Sequence, residues 1–193
     1  MAPSSSAQRI LVIAPHADDE AVGCGGLIRK TSSAGGKVHV AIASERSLDR
    51  KWRAGQYHDY FSDDRQGELA RASEILGFEF SVLLDGDYLH RLDTVPQQAL
   101  VAAIEQALLV HRPTLFLLPT PTYDQDHRAV FSAGIAAARP HFWAGTVLLY
   151  ITVPFGHSPN VFVNISAVLS VKIDACKAYV SQQTGVQSWV SPE

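Results

Sequence analysis

Two short stretches concentrate the side chains that can do chemistry. "PHADDE" places His16, Asp18, Asp19 and Glu20 directly after the apolar run Ile10–Ala14. "PTPTYDQDHRAV" places Asp124, Asp126 and His127 directly after a second apolar run, Leu115–Leu118. Together they offer two imidazoles and several carboxylates. Two histidines with a carboxylate form a known catalytic zinc set that keeps one coordination position open for water. Water on zinc ionises near neutrality, with a pKa of about 7, and becomes a hydrolytic nucleophile. The remaining carboxylates are then free to move protons. Each stretch alone has a plainer reading. Acids at the start of a helix favour its macrodipole, and an aspartate can cap the first turn. The recurrence of His and Asp at two equivalent places tips the balance to a metal site.

That equivalence depends on the elements around the two stretches. Five near-continuous apolar runs read as strands covered on both faces: Ile10–Ala14, Val38–Ala43, Phe80–Leu84, Leu115–Leu118 and Val147–Val153. A shorter strand is expected at Val161–Ile165. Helices are expected at about Ala21–Ser33, Gln66–Leu76, Pro96–His111, Arg128–Arg139 and Ala167–Gln182. Gly35 and Gly77 close the first two. This alternation argues for a layered α/β fold around a parallel sheet. In such sheets ligands bind beyond the carboxyl ends of the strands, where both stretches fall. Gly23, Gly25 and Gly26 read as points where the backbone approaches something closely. Ser44–Arg65 mixes charges with Trp52, Tyr57, Tyr60 and Phe61 and has no clean period. A connection of that length is either functional or a solvated excursion.

The 193 residues fit one domain, with about the first eight as a flexible tail. A formal net charge of −3, from 16 basic and 19 acidic residues, gives no reason to expect nucleic acid or an anionic membrane as partner. The start "MAPSSSAQR" lacks the features of a signal peptide, and no apolar stretch is long enough to span a bilayer. Two cysteines, Cys24 and Cys176, make no disulfide framework. A cytoplasmic protein is expected.

"PHADDE" resembles the AHPDDE-type signature of the LmbE-like, or PIG-L-type, zinc-dependent de-N-acetylases. Three further motifs follow in the family's order. "RQGELARASEILG" is similar to its Arg-x-x-Glu helix, "DQDHRAV" to its second metal motif, and "PNVFVNISAVLSVKIDACKAYVSQ" to its C-terminal strand and helix. The resemblance implies a three-layer, Rossmann-like α/β fold with a mostly parallel sheet and the active site at the strands' C-terminal ends. It implies removal of the acetyl group from an N-acetylglucosamine-type sugar or conjugate. It also implies His16, Asp19 and His127 as Zn2+ ligands, with Asp18 as the base that takes a proton from the zinc-bound water. Asp126 would orient an imidazole, and another divalent metal could replace zinc. Arg65 would lie near the substrate. Beyond the third strand, Asp85 or Asp87 could bond a sugar hydroxyl, although "DG" is also plain turn chemistry, and His157 is a further substrate candidate.

The sequence departs from the pattern in three places. Ala17 stands where the motif has proline. Asp124 stands where many members have the histidine thought to protonate the leaving amine. An aspartic acid can do this only if its pKa rises well above about 3.9, and His157 or His58 would be substitutes. The chain is also shorter than many members, so parts of the substrate site are either abbreviated or supplied by another subunit of a homo-oligomer. A catalytically impaired, metal-containing sugar-binding protein is the alternative reading. A nucleotide site is disfavoured, because "HADDEAVGCGG" is no phosphate loop and its acids repel phosphate.

Overall fold

The computed structural model describes residues 8–45, 65–153 and 156–182. Most of the Ser44–Arg65 segment, including Trp52 and His58, lies outside the described residues. Five strands make one sheet: β1 Arg9–Ala14, β2 Lys37–Ile42, β3 Glu79–Val82, β4 Leu115–Pro119 and β5 Thr146–Tyr150. Their order is β3-β2-β1-β4-β5, and every neighbouring pair is parallel. The helices are α1 Asp19–Ser33, α2 Arg65–Leu76, α3 Gln97–His111, α4 Gln125–Ala137 and α5 Leu169–Ala178.

The central strand explains its own composition. Successive strand residues face opposite sides. Ile10, Val12 and Ala14 therefore pack with Ile28, Leu69, Leu76 and Ala175 of α1, α2 and α5. Leu11 and Ile13 pack with Leu100, Ile104, Val130 and Ala133 of α3 and α4. A strand buried on both faces has no place for a polar residue, and charge appears only where it ends. Strand order reverses between β1 and β4, and a crevice opens beyond their carboxyl ends at such a switch point. The two chemistry-bearing stretches follow these two strands.

Two expectations change. Val161–Ile165 forms no strand, and Phe162 is 80% exposed. Its β-branched and aromatic residues favour a sheet, but no neighbouring strand among the described residues supplies hydrogen bonds. Strands β3 and β5 lie at the two edges of the sheet and are partly exposed rather than covered on both faces. The close approach expected at the glycines of α1 is present, and it is to protein. A Cβ at Gly23 would stand 2.2 Å from the Tyr150 ring, and one at Gly26 would stand 2.5 Å from Ile165. Helix α1 thus lies close against β5 and the chain before α5. No helix among the described residues is long and apolar enough to cross a membrane.

Candidate metal centre

The turn after β1 is built around Asp18, which has φ 139° and ψ −29°. A non-glycine residue in that region carries about 1–3 kcal/mol of strain, and such strain collects at functional sites. Helix capping does not account for it, since the Asp18 side chain makes no cap hydrogen bond. Asp19, the first residue of α1, turns back instead. Its Oδ2 accepts the His16 N–H at 3.0 Å and stands 3.6 Å from His16 Nδ1. Its Oδ1 stands 3.3 Å from His127 Nε2.

Asp124 organises the other side. It is the N-cap of α4, and its Oδ1 accepts the N–H groups of Asp126 at 2.7 Å and His127 at 3.4 Å. Asp126 is fully buried. One of its oxygens lies 2.9 Å from His16 Nε2, and the other accepts the Leu92 N–H at 2.9 Å. His16 thus spends Nε2 on Asp126 and keeps Nδ1 on the side of Asp19.

His16, Asp19 and His127 each bring a ligand atom within 4.8 Å of the others. The donor set is two nitrogens and one carboxylate oxygen, which suits zinc or a similar divalent ion. Buried His127 Nδ1 has no hydrogen-bond partner among the described residues. Buried polar atoms are normally satisfied, and this one leaves His127 less committed than His16. The residues present fit a divalent ion.

Electrostatics separates the two adjacent aspartates. Burial, followed by the charge of Asp19, pushes Asp18 up to about 7, against the pull of His16, Arg65 and His127. Burial also acts to raise Asp19, but the imidazoles of His127 and His16 overcome it and hold that carboxyl below its ordinary value. On both histidines burial opposes the charge and the nearby carboxylates win, so both are raised. Burial pushes Glu20 up to about 8, although its bond from Tyr179 works against this.

The cavity above these groups measures about 250 Å3 and is lined by His16, Asp18, Asp19, Asp124, His127 and His90, among others. Arg65, Asp87 and His157 do not line it. Arg65 is buried at the start of α2, its charge acts on Asp18, and its Nε and Nη1 lack partners among the described residues. The Arg65 and Glu68 side chains are both buried. Asp87 lies on the loop after β3. His157 lies in a neighbouring groove of about 700 Å3 beside β5, with Nε2 2.6 Å from the Pro121 carbonyl oxygen. Cys24 is a buried thiol donating to the Glu20 carbonyl, pushed well above its ordinary pKa by burial.

His90 is the residue that sequence reasoning passed over. Its backbone is left-handed, with φ 62°, and its ring centroid lies 5.1 Å from that of His16. It follows β3 at the same sheet edge, so the argument that singled out Asp87 applied equally to it. Gln125 and Asp126 hold its loop by bonds to the His90 carbonyl and the Leu92 N–H.

Residues 11–138 match the family described as PIG-L, GlcNAc-PI de-N-acetylase. A diacetylchitobiose deacetylase from Thermococcus kodakarensis is 30% identical over 202 residues, covering 93% of this chain and 72% of that protein. The conserved protein TT1542 from Thermus thermophilus superposes with a TM-score of 0.74 at 26% identity, covering 91% of this chain and 80% of the other. The A40926 pseudoaglycone deacetylase Dbv21 gives a TM-score of 0.72 at 25% identity, over 94% of this chain and 86% of the other.

Proposed function

The chain belongs to the PIG-L family of GlcNAc-PI de-N-acetylases, and from that premise we propose that it hydrolyses the N-acetyl group of an N-acetylglucosamine-type sugar or glycoconjugate, with a divalent ion held by His16, Asp19 and His127. The observation that carries this reading is the strained, uncapped Asp18 lining the cavity beside a converging His–Asp–His set. A protein that only bound sugar would have no need of that carboxylate.

When bound, the ion supplies Lewis acidity, which polarises an acyl oxygen and brings the pKa of a water down to about 7. Asp18 takes the proton of the water that adds to the acetyl carbon. Asp126 fixes the His16 ring through Nε2, and Asp124 fixes the start of α4, which carries His127. The Asp124 carboxylate is engaged in that cap. His90 offers the cavity another imidazole, and in this reading its N–H serves the departing amine. The C–N bond breaks to give acetate and the free amine. The two deacetylases to which the chain is similar, on diacetylchitobiose and on the A40926 pseudoaglycone, point to an acetylated amino sugar as substrate.

The test is acetate release from a panel of N-acetylglucosamine conjugates, comparing zinc-loaded with chelated protein. Release that depends on metal and falls roughly 100-fold in His90→Ala supports the proposal. Full zinc occupancy and sugar binding without any acetate would overturn it in favour of the sugar-binding alternative.

A further inference from the structure

Glu20 follows the base Asp18 and the candidate ligand Asp19, is fully buried, and has no part in the mechanism above. Its carboxyl group joins two distant parts of the chain. Oε2 accepts the backbone N–H of Asp18 at 3.1 Å. Oε1 accepts the phenol of Tyr179, just beyond α5, at 2.5 Å and across 159 residues of sequence. Two residues later, Ser181 donates its N–H and its hydroxyl to the Glu68 carboxylate of α2, each at 2.7 Å. Tyr179 is 2% exposed and does not line the cavity. Any effect it has on chemistry passes through Glu20.

We propose that Tyr179 is a positioning residue for the base: through Glu20 it holds the peptide of Asp18 in its left-handed conformation, and Ser181 on Glu68 fixes the segment that carries the tyrosine. The conformation needs such a tether. The Asp18 side chain gives it no cap bond, and the residue has none of the freedom of glycine at φ 139°. Asp18 N–H would otherwise have to find another acceptor inside a buried turn. The carboxyl end of the central strand is thereby tied to the last described turn of the chain, on the α1, α2 and α5 side of the sheet.

The inference rests on Asp18 being the base, and its test separates the two. Tyr179→Phe removes one hydroxyl and keeps the ring. Tyr150→Phe is its control, because that buried phenol donates to the Ile13 carbonyl at 2.9 Å and not to Glu20. At equal zinc content, Tyr179→Phe should lower kcat roughly 10- to 100-fold with KM nearly unchanged, as expected for a misplaced reacting group. Tyr150→Phe should lower the melting temperature and leave kcat intact. A crystal structure of Tyr179→Phe should show Asp18 leaving the positive-φ region. Retained kcat, equal kcat losses in the two variants, or an unmoved Asp18 would each overturn the proposal. If the unaltered protein releases no acetate from any substrate, the deacetylase reading fails, and the Asp18 backbone in that crystal structure still decides the positioning claim.

Discussion

His16 and His127 meet at the carboxyl edge of the sheet, with ring centroids 5.6 Å apart and planes inclined by 60°. His39 of β2 and His111 at the end of α3 meet toward the opposite edge, stacked at 3.7 Å and 21°. Both pairs lose hydration, and their pKa values move in opposite directions. At the carboxyl edge burial acts to lower His16, but Asp126, Asp19 and Asp18 overcome it and raise His16, and Asp19 does the same for His127. At the other edge burial, and then the charge of His111, lower His39 to about 4, and burial lowers His111. Stacked rings also aim their nitrogens in parallel, whereas tilted rings can converge on one point. At the carboxyl edge, carboxylates stand among the rings and the rings are inclined, an arrangement that suits a cation. Proximity of two histidines supplies neither.

The comparison is broken most completely by taking out the carboxylate that lies between the two ring nitrogens. Asp19→Ala should lose the bound ion and bring turnover below detection, with metal analysis and acetate release as the readouts. Asp18→Asn sharpens it, since the neighbouring carboxyl is assigned to proton transfer alone. We expect the ion to stay bound and kcat to fall roughly 10²- to 10⁴-fold. Asp126→Ala leaves His16 with a free Nε2 and an unfixed ring. Zinc affinity, measured by chelator competition, should fall roughly 10- to 100-fold.

The smallest effect belongs to the stacked pair. Unfolded His39 titrates at its ordinary 6.5 and folded His39 at about 4, so between these values the unfolded chain binds more protons. Stability should therefore fall as pH drops from about 6.5 toward 4. His39→Gln, which cannot take up that proton, should flatten this part of a melting-temperature profile and leave deacetylation unchanged. An equally steep profile would mean that the acid sensitivity arises elsewhere.

How much of this could be read from the sequence follows from the range of the interactions. Strands β1 and β4 were legible because burial on both faces leaves an unbroken apolar run. The metal candidates were legible because each lies in the segment that follows such a run. Val161–Ile165 misled, because strand propensity is local and a pairing partner is not. Asp124 stands out in the sequence as a titratable group, while the structure spends it on the first turn of α4, a role that "DQD" before a helix also allows. His90 gave no spacing signal, since it reaches the cavity on a loop held by Asp126 from another element. Tyr179 was visible only as part of a resemblance. Its bond to Glu20 spans most of the chain, and no periodicity encodes that.

The adjacency of β1 and β4 has a consequence for how the molecule would respond to a divalent ion at His16, Asp19 and His127. His16 and Asp126 are 110 residues apart in sequence and touch only once these strands pair. An unfolded chain keeps His16 and Asp19 apart from His127, so an ion held by all three would favour the native state, and mass action would link its concentration to folding. At a free concentration 100 times Kd, this linkage adds about 2.7 kcal/mol to the native state. Chelation would then weaken the whole fold as well as the reaction, and a metal-dependent melting temperature would report the closing of one long loop.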